Sequence, residues 1–255
     1  MSLLLSTAYL PPVDWFAAVA SDASLAGEIS PASVVLEACE HYRKQTWRNR
    51  CAILTASGKE NLLIPIVHAA GEAFTADGAA AGVDRNVSHI PIRDVRIDYS
   101  VDWVRAHEQA IASAYGTSAY FEYYKDELFA LLESGERGLY AFNHRLINWL
   151  LAKLHLPASV VDSREFVRPE PGPSSWDARP AADCAPLDLR ERLHPKKAPL
   201  YHCGRPYYQV FSAQFGFVEG LSIVDLLFNE GPDSLSVLSA MRPSMTLPAD
   251  EASGD

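Results

Sequence analysis

Cysteine is scarce in this 255-residue chain, and its thiols form no recognisable pair. The four cysteines are Cys39, Cys51, Cys184 and Cys203. No Cys-x-x-Cys spacing occurs among them, so a disulfide framework is not indicated, and we expect free thiols in a reducing, cytoplasmic compartment. The histidines nearest to them, His41 and His202, form no zinc-binding spacing with them, and no metal site is predicted.

Positive charge is also in deficit. Lysine and arginine number 22 against 32 aspartates and glutamates, which gives a formal net charge of −10 at pH 7. A duplex nucleic acid and an anionic membrane surface are therefore not expected as partners. A small anionic substrate remains compatible with this balance, because a local basic cluster can act inside an acidic protein.

Long apolar runs and the common nucleotide loops are missing as well. No stretch reaches the ~18 apolar residues that a membrane span requires. The opening MSLLLSTAYLPP has no basic segment before its short apolar run, which predicts a first buried strand and not a signal peptide. Neither a glycine-rich phosphate loop nor a Gly-x-Ser-x-Gly elbow is present, so dinucleotide, P-loop and esterase-type sites are not indicated.

The composition that remains is that of a globular protein, with 48% apolar and 21% charged residues. We predict an α/β fold with a mixed or mostly parallel sheet, an N-terminal strand-turn-helix, a helical central region and a C-terminal extension packed on the same domain. The expected organisation is a core at 1–160, a proline-rich linker or wrapping segment at 161–200, the extension at 201–245 and a frayed tail at 246–255.

Local patterns predict the individual elements. Strands are expected at 34–36, 51–54, 62–67 and 90–97, the middle two forming a hairpin around Gly58-Lys59. Helices are expected at about 103–115, 120–132, 139–154, 223–228 and 233–241. The third of these has apolar residues at helical spacing. Residues 69–86, rich in alanine and glycine, predict a surface loop.

The strongest candidate for chemistry is the segment 43–50. It contains the cations Arg43, Lys44, Arg48 and Arg50 around Trp47. Arginine binds phosphate or carboxylate in a bidentate manner, and an indole can stack on a base or a sugar. The alternative is a solvated edge whose cations pair with Glu37 and Glu40. The segment follows a predicted strand end, where ligands of open α/β sheets usually bind, and this position favours a binding site.

Weaker candidates surround this segment. The turn 6–12 leads into a helix and offers hydroxyl and N–H groups to an anion, although its two prolines are equally consistent with simple punctuation. Glu37 can serve as a general base or as a salt-bridge partner. His107 and Asn143 lie on helix faces that are partly apolar. For both, structural hydrogen bonding is the alternative to a functional role.

Several segments together resemble the WbqC-like family of bacterial surface-polysaccharide gene clusters. The segments are STAYLPPVDWF, EACEHYRKQTWRNRCAI, DWVRAHEQAIASAYGTSAYFEYY, LYAFNHRLINWLL and YYQVFSAQFGFVEGLSIVDLLFNEGP. The resemblance implies a role in surface-glycan biosynthesis, such as that of O-antigen, without specifying a reaction. The matched polar positions are Tyr9, Lys44, Arg48, Asn49, Arg50, His107, Tyr115 and Asn143. The chain departs from the family at Thr7-Ala8, where many members have Gln-Pro, and in its Glu37 and Glu40 pair, which replaces aspartates.

From these observations we expect a transferase that acts on an activated sugar or on another metabolite carrying phosphate or carboxylate. Arg48, Arg50 and Lys44 would bind the anion. Tyr9 and Trp47 would shape the pocket, assisted by Asn49, Tyr115 and Asn143. His107 or Glu37 would accept a proton. The alternatives are a non-catalytic protein that binds a nucleotide-sugar, a glycan intermediate or a partner enzyme, and a hydrolase of an acyl or aminoacyl metabolite. The cofactor is unknown, and a homodimer is left open.

Overall fold

A four-stranded parallel sheet forms the centre of the protein. The structure is a computed structural model that describes residues 2–24, 32–67, 90–168 and 186–243. The strands of the sheet are β1 (Ser2–Ser6), β2 (Ala32–Glu37), β5 (Ala158–Asp162) and β6 (Leu187–Asp188). Their order is β5-β2-β1-β6, and all three pairings are parallel. The predicted α/β class with a mostly parallel sheet is confirmed.

Of the two central strands of this sheet, β1 is covered on both faces, whereas β2 also has the half-buried residues Ser33 and Val35. Leu3, Leu4 and Leu5 of β1 are at most 2% exposed, and Val34 and Leu36 of β2 are fully buried. Parallel strands buried on both faces have continuous apolar runs in place of an alternating pattern. Helix α1 (Val13–Ser24) follows β1 directly, and its buried Trp15, Phe16 and Val19 join the core.

Two smaller antiparallel pairs flank the sheet. β3 (Arg50–Thr55) and β4 (Gly58–Leu63) form the predicted hairpin, with Arg50 opposite Leu63. β7 (Tyr201–His202) pairs with β8 (Arg242–Pro243).

The central region is helical, as predicted. It contains α2 (Trp103–Tyr115), α3 (Phe121–Leu132) and α4 (Leu139–Lys153). α2 begins where Asp102 accepts a hydrogen bond from the backbone N–H of Arg105 at 3.4 Å, which satisfies a free N–H of the first turn. The apolar stripe of α4, which includes Leu146, Ile147 and Leu150, is fully buried.

The C-terminal segment packs against the beginning of the chain. It contains α5 (Ser212–Phe215), α6 (Ile223–Glu230) and α7 (Ser234–Ala240). The N–H of Val13 donates to the carbonyl of Leu221 at 2.9 Å, and the hydroxyl of Ser222 donates to the carbonyl of Leu10 at 2.8 Å. These bonds position the turn between β1 and α1.

The structure differs from the sequence-based expectations in several segments. The predicted strand at 90–97 is wrong, because Ile92–Asp94 forms a 3-10 turn in which the N–H of Asp94 donates to the carbonyl of Pro91. Proline fixes φ near the value of such a turn, and this effect outweighs the short alternation of apolar residues. Strands β5 to β8 and the short helix α5 were not predicted, and the strand predicted at 62–67 lies at Gly58–Leu63. The predicted loop 69–86 and the predicted tail 246–255 lie outside the described residues.

No helix in the described parts of the chain has the length and apolar character that crossing a membrane requires.

We predict that Gly231→Ala destabilises the protein more than Gly135→Ala does. Both glycines have positive φ, +52° and +68°, but a Cβ at Gly231 would meet the Tyr120 ring at 2.5–2.7 Å, whereas none of the atoms described lies within 4 Å of one at Gly135. The additional overpacking should cost about 1–3 kcal/mol. Urea denaturation of both variants measures the difference, and equal losses would contradict the close contact.

Candidate functional site

The carboxyl ends of the parallel strands meet at one edge of the sheet and bring polar residues together there. β1 ends at Ser6, β2 at Glu37 and β6 at Asp188, and these three strands are neighbours. Ligands of open α/β sheets usually bind at this edge. The segment 38–50 follows β2 at this edge of the sheet. Its basic residues Arg43 and Arg48 lie at the same edge.

The first ion pair at this edge joins Arg48 to Glu40. The Nε of Arg48 donates to Glu40 Oε1 at 3.0 Å, and its Nη2 donates to Glu40 Oε2 and, at 2.8 Å, to the hydroxyl of Ser6. The hydroxyl of Ser6 donates in turn to Glu40 Oε2 at 3.2 Å. The side chains of Arg48 and Glu40 are 4% and 8% exposed, so this pair is buried. Its geometry is fixed by the hydrogen bonds among Arg48, Glu40 and Ser6.

The second ion pair joins Arg190 to two carboxylates. Its Nε and Nη2 donate to Asp188 at 2.9 and 2.6 Å, and its Nη1 donates to Glu37 at 3.2 Å. Glu37 is fully buried, and it also accepts from the hydroxyl of Ser163 at 2.6 Å and from the N–H of Cys39 at 2.9 Å. These bonds occupy both carboxylate oxygens of Glu37. Glu37 therefore orients Arg190.

A pocket of about 380 Å³, including the space open to solvent, lies above these pairs. We call it the carboxyl-edge pocket. Its charged or titratable lining residues are Arg43, Arg48, Arg190 and His194. Within the described ranges, no carboxylate belongs to this lining. The acidic partners Glu37, Glu40 and Asp188 are not among the lining residues, so guanidinium groups and not their carboxylate partners line this space.

Two buried polar atoms in the lining residues of this pocket have no hydrogen-bond partner among the residues that the structure describes. They are Oγ1 of Thr7, in a residue that is fully buried, and Nε1 of Trp15, in a residue that is 2% exposed. A buried donor without a partner costs about 1–3 kcal/mol, and a bound ligand that accepts hydrogen bonds would remove this cost. Since both atoms can donate, they favour a ligand rich in acceptor oxygens, such as a phosphate.

The 3-10 turn Trp47–Asn49 is held in place from two sides. The backbone N–H of Tyr9 donates to the carbonyl of Trp47 at 2.9 Å, and the amide of Asn143 in α4 donates to the carbonyl of Arg48 at 2.7 Å. The amide of Asn49 donates to the carbonyl of Ile64 at 2.9 Å. Asn49 and Asn143 thus position the backbone of the turn that presents Trp47 and Arg48 to the pocket.

Tyr9 and His107 form a buried pair apart from the pocket lining. The hydroxyl of Tyr9 and Nδ1 of His107 are 2.9 Å apart, and the ring of His107 also hydrogen-bonds the carbonyl of Leu63. Burial lowers the pKa of His107 to about 4, while it raises that of Tyr9. His107 is therefore neutral at pH 7, and Tyr9 donates to its Nδ1.

The other expected site residues are dispersed. Tyr115 is buried against Phe228, and its hydroxyl accepts from the N–H of Leu54 at 3.4 Å. Lys44 is exposed and Arg50 is half-buried, and neither lines the carboxyl-edge pocket. Of the residues expected to bind substrate, the structure brings Trp47 and Arg48 into this pocket, with Glu37 behind it.

Sequence reasoning missed Arg190 and His194. Both follow β6, a strand of two residues within a segment that the sequence indicated as a linker. The cationic run at 190–197 was the available signal, since it resembles the run at 43–50 in the density of its basic residues. In the described ranges, no group of three or more His, Cys, Asp or Glu side chains is arranged to hold a metal ion.

Comparison of the chain with known proteins identifies a matching family. The model of the WbqC-like protein family matches residues 7–78 and 81–237. A protein of Mycobacterium tuberculosis named "Uncharacterized protein Rv1507c" is 26% identical over 217 residues, which cover 79% of this chain and 85% of that protein. No solved structure matches the chain.

We predict that Arg48→Met costs about 3–5 kcal/mol of stability, because it leaves the Glu40 carboxylate buried without its partner. The double variant Arg48→Met/Glu40→Gln should recover part of this loss, since no unpaired charge remains. The matched control is Arg43→Met. Arg43 pairs with Glu191 at half-exposed positions, and its loss should cost less than about 1 kcal/mol. Chemical denaturation that yields equal losses for the two single variants would contradict the burial of the Arg48 pair.

We predict that His107→Gln makes the protein less sensitive to acid. The pKa of His107 is lowered from 6.5 to about 4 in the folded state, so its contribution is fully present above pH 6.5 and is lost as the pH falls towards 4. The maximal contribution is on the order of 3 kcal/mol. The free energy of unfolding is measured for the unmodified protein and for His107→Gln between pH 4 and 6.5. The difference between the two curves isolates His107, because the contributions of all other titrating groups cancel. Parallel profiles would show that His107 does not titrate in this way.

Proposed function

The chain belongs to the WbqC-like protein family, and we propose that it transfers a group from an activated sugar or another phosphate- or carboxylate-bearing metabolite. The carboxyl-edge pocket would bind the anionic part of that donor. The reaction would belong to the cytoplasmic biosynthesis of a surface glycan such as O-antigen, or of a related small molecule.

The observation that carries this proposal is the charge distribution of the pocket. The guanidinium groups of Arg43, Arg48 and Arg190 line it, while Glu37, Glu40 and Asp188 stand outside the lining. Arginine matches the geometry of phosphate and carboxylate oxygens. The buried Glu40 and Glu37 orient Arg48 and Arg190, whereas Arg43 pairs with the half-exposed Glu191. A preoriented anion site loses little conformational entropy when a ligand binds.

The remaining lining residues suit the other part of such a donor. Trp47 is half-buried at the rim, where its indole can cover a sugar or a base. His194 lines the pocket, and burial together with the nearby Arg43 lowers its pKa, which keeps the imidazole neutral at pH 7. A neutral imidazole can exchange a proton with a reacting group.

The assignment of roles differs from the one that the sequence suggested. Arg48 and Trp47 retain their proposed binding roles, and Arg43 and Arg190 take the place of Lys44 and Arg50. Tyr9, Asn49, Tyr115, Asn143 and His107 act in this proposal through the structure that they support. Described residues of one chain form the lining, so the proposal does not depend on a homodimer.

We expect Arg43→Ala to weaken the binding of inorganic pyrophosphate about tenfold, which corresponds to ~1.4 kcal/mol for a lost charge-assisted hydrogen bond. Arg43 is half-exposed, so its removal should leave the fold intact. Arg145→Ala, at an exposed position of α4, is the matched control and should bind as the unmodified chain does. Isothermal titration calorimetry measures all three proteins.

The anion site would be disproved if pyrophosphate does not bind the unmodified chain, or if both variants bind it equally well. Release of nucleoside diphosphate from a panel of sugar nucleotides then separates the two leading functions. Turnover that Arg43→Ala reduces supports the transferase, whereas binding of a sugar nucleotide without turnover in the presence of amine and alcohol acceptors supports a binding protein.

A further inference from the structure

A second pocket adjoins the carboxyl-edge pocket and shares part of its wall. It occupies about 420 Å³, including the space open to solvent, and we call it the Asp14 pocket. Trp47, Leu193 and His194 line both pockets. The first turn of α1 contributes to both as well, since Trp15 faces the carboxyl-edge pocket and Asp14 the second one. Two ligands bound in these pockets would therefore be neighbours.

Asp14 is the most distinctive group of this second pocket. Its residue is only 6% exposed, and its Oδ2 accepts a hydrogen bond from the N–H of Leu200 at 2.7 Å. No hydrogen bond joins its other oxygen, Oδ1, to any residue that the structure describes. A buried carboxylate with one oxygen free in a pocket is an acceptor available to a ligand.

A lysine lines the same pocket. The Nζ of Lys59 donates to the carbonyl of Glu219 at 3.2 Å. It lies against Gly220, where φ is +70° and an added Cβ would come within 3.2 Å of Nζ. The absence of a side chain at Gly220 thus leaves room for the ammonium group. Since an ammonium group has three hydrogens, Lys59 keeps donors for a ligand.

The pocket therefore carries an acceptor of negative charge and a donor of positive charge. This combination is complementary to a small zwitterion, whose ammonium and carboxylate groups need opposite partners. Asp14 is buried, so a ligand without a cationic group would leave its Oδ1 without a charge-assisted hydrogen bond, whereas the exposed Lys59 is accessible to the carboxylate of a zwitterion.

We propose that the Asp14 pocket binds the acceptor of the transfer reaction, a small zwitterion of the amino-acid class that supplies an amine or a hydroxyl as nucleophile. Asp14 accepts the proton of that nucleophile, and Lys59 binds its carboxylate. This inference rests on the proposed function, because it assumes that an activated donor occupies the carboxyl-edge pocket.

The transfer step balances with these groups alone. An ammonium group has no lone pair, so the nucleophile loses one proton before its lone pair forms a bond to the electrophilic carbon of the donor. The bond from that carbon to its phosphate oxygen breaks, and its electron pair stays on the phosphate beside Arg48 and Arg190. The proton released from the nucleophile goes to Oδ1 of Asp14, and no oxidant, reductant or further co-reactant is required.

The protonation of Asp14 gives the proposal a pH signature. The pKa of Asp14 is raised to about 6, mainly by burial and in smaller part by Glu219, while the Leu200 N–H, His202 and Lys59 oppose the shift. The other charged or titratable groups that line the pocket are Arg192, His194 and Lys197. The carboxylate is ionised above pH 6, so zwitterion binding should weaken as the pH falls through this value.

The probe for this pocket is L-serine, which carries an amine, a hydroxyl and a carboxylate. We expect Asp14→Asn to weaken its binding to the full chain at least tenfold and to abolish the pH dependence near 6, while pyrophosphate binding stays unchanged. The substitution keeps the acceptor for the Leu200 N–H and removes a buried charge, so the variant should fold. Asp126→Asn, at an exposed position of α3, is the matched control.

A second variant tests the other end of the zwitterion. Lys59→Met should weaken the binding of L-serine but not that of ethanolamine, which lacks the carboxylate. Saturation-transfer NMR and calorimetry measure both ligands. The inference is overturned if L-serine does not bind the unmodified chain, or if Asp14→Asn binds it as well as Asp126→Asn does. Loss of pyrophosphate binding through Arg43→Ala would still uphold the proposed function in that event, so the two failures are distinguishable.

Discussion

The burial of carboxylates at the end of a parallel sheet is the constraint on which the rest of this structure depends. Glu37 is fully buried and Glu40 nearly so, and a charge in that position is tolerated only when a cation and further donors compensate it. Arg190 forms an ion pair with Glu37, and Arg48 forms one with Glu40. Because the strands are parallel, both pairs lie at one edge, and the arginines that neutralise the interior also form the wall of a pocket.

This constraint connects the two halves of the chain. Arg48 comes from the segment that follows β2, whereas Arg190 follows β6, which pairs with β1 over only two residues. Thr7 and Trp15, which line the same pocket, each have a buried polar atom without a partner among the described residues. The first turn of helix α1 lies between the two pockets, with Trp15 in the lining of the carboxyl-edge pocket and Asp14 in that of the Asp14 pocket. One short helix turn thus separates two chemically different environments.

The sequence predicts those elements whose signals are local. The hairpin at Gly58 follows from alternating strands around a turn, and α2 and α4 follow from a capping aspartate and an apolar period. β5 and β6 escape prediction because both are short and partly exposed at the sheet edges, and their positions depend on pairing with distant strands. The same limit applies to the site. Arg48 and Trp47 were identifiable because they follow a predicted strand end. Arg190 lies near them only because β6 pairs with β1, and a local sequence pattern does not reveal that pairing. Tyr9, His107 and Asn143 stand out by their polarity, and in the structure their hydrogen bonds connect buried elements.

The bonds between the opening turn and the residues before α6 have a kinetic consequence. Leu10 and Ser222 are 212 positions apart, and β1 also awaits β6 from the last third of the chain. Contacts of such sequence separation require closing large loops, which slows folding and delays it until nearly the whole polypeptide has left the ribosome. Nascent chains should therefore expose the apolar β1 for a long interval. Chaperones that recognise unpaired strands would bind it during that interval.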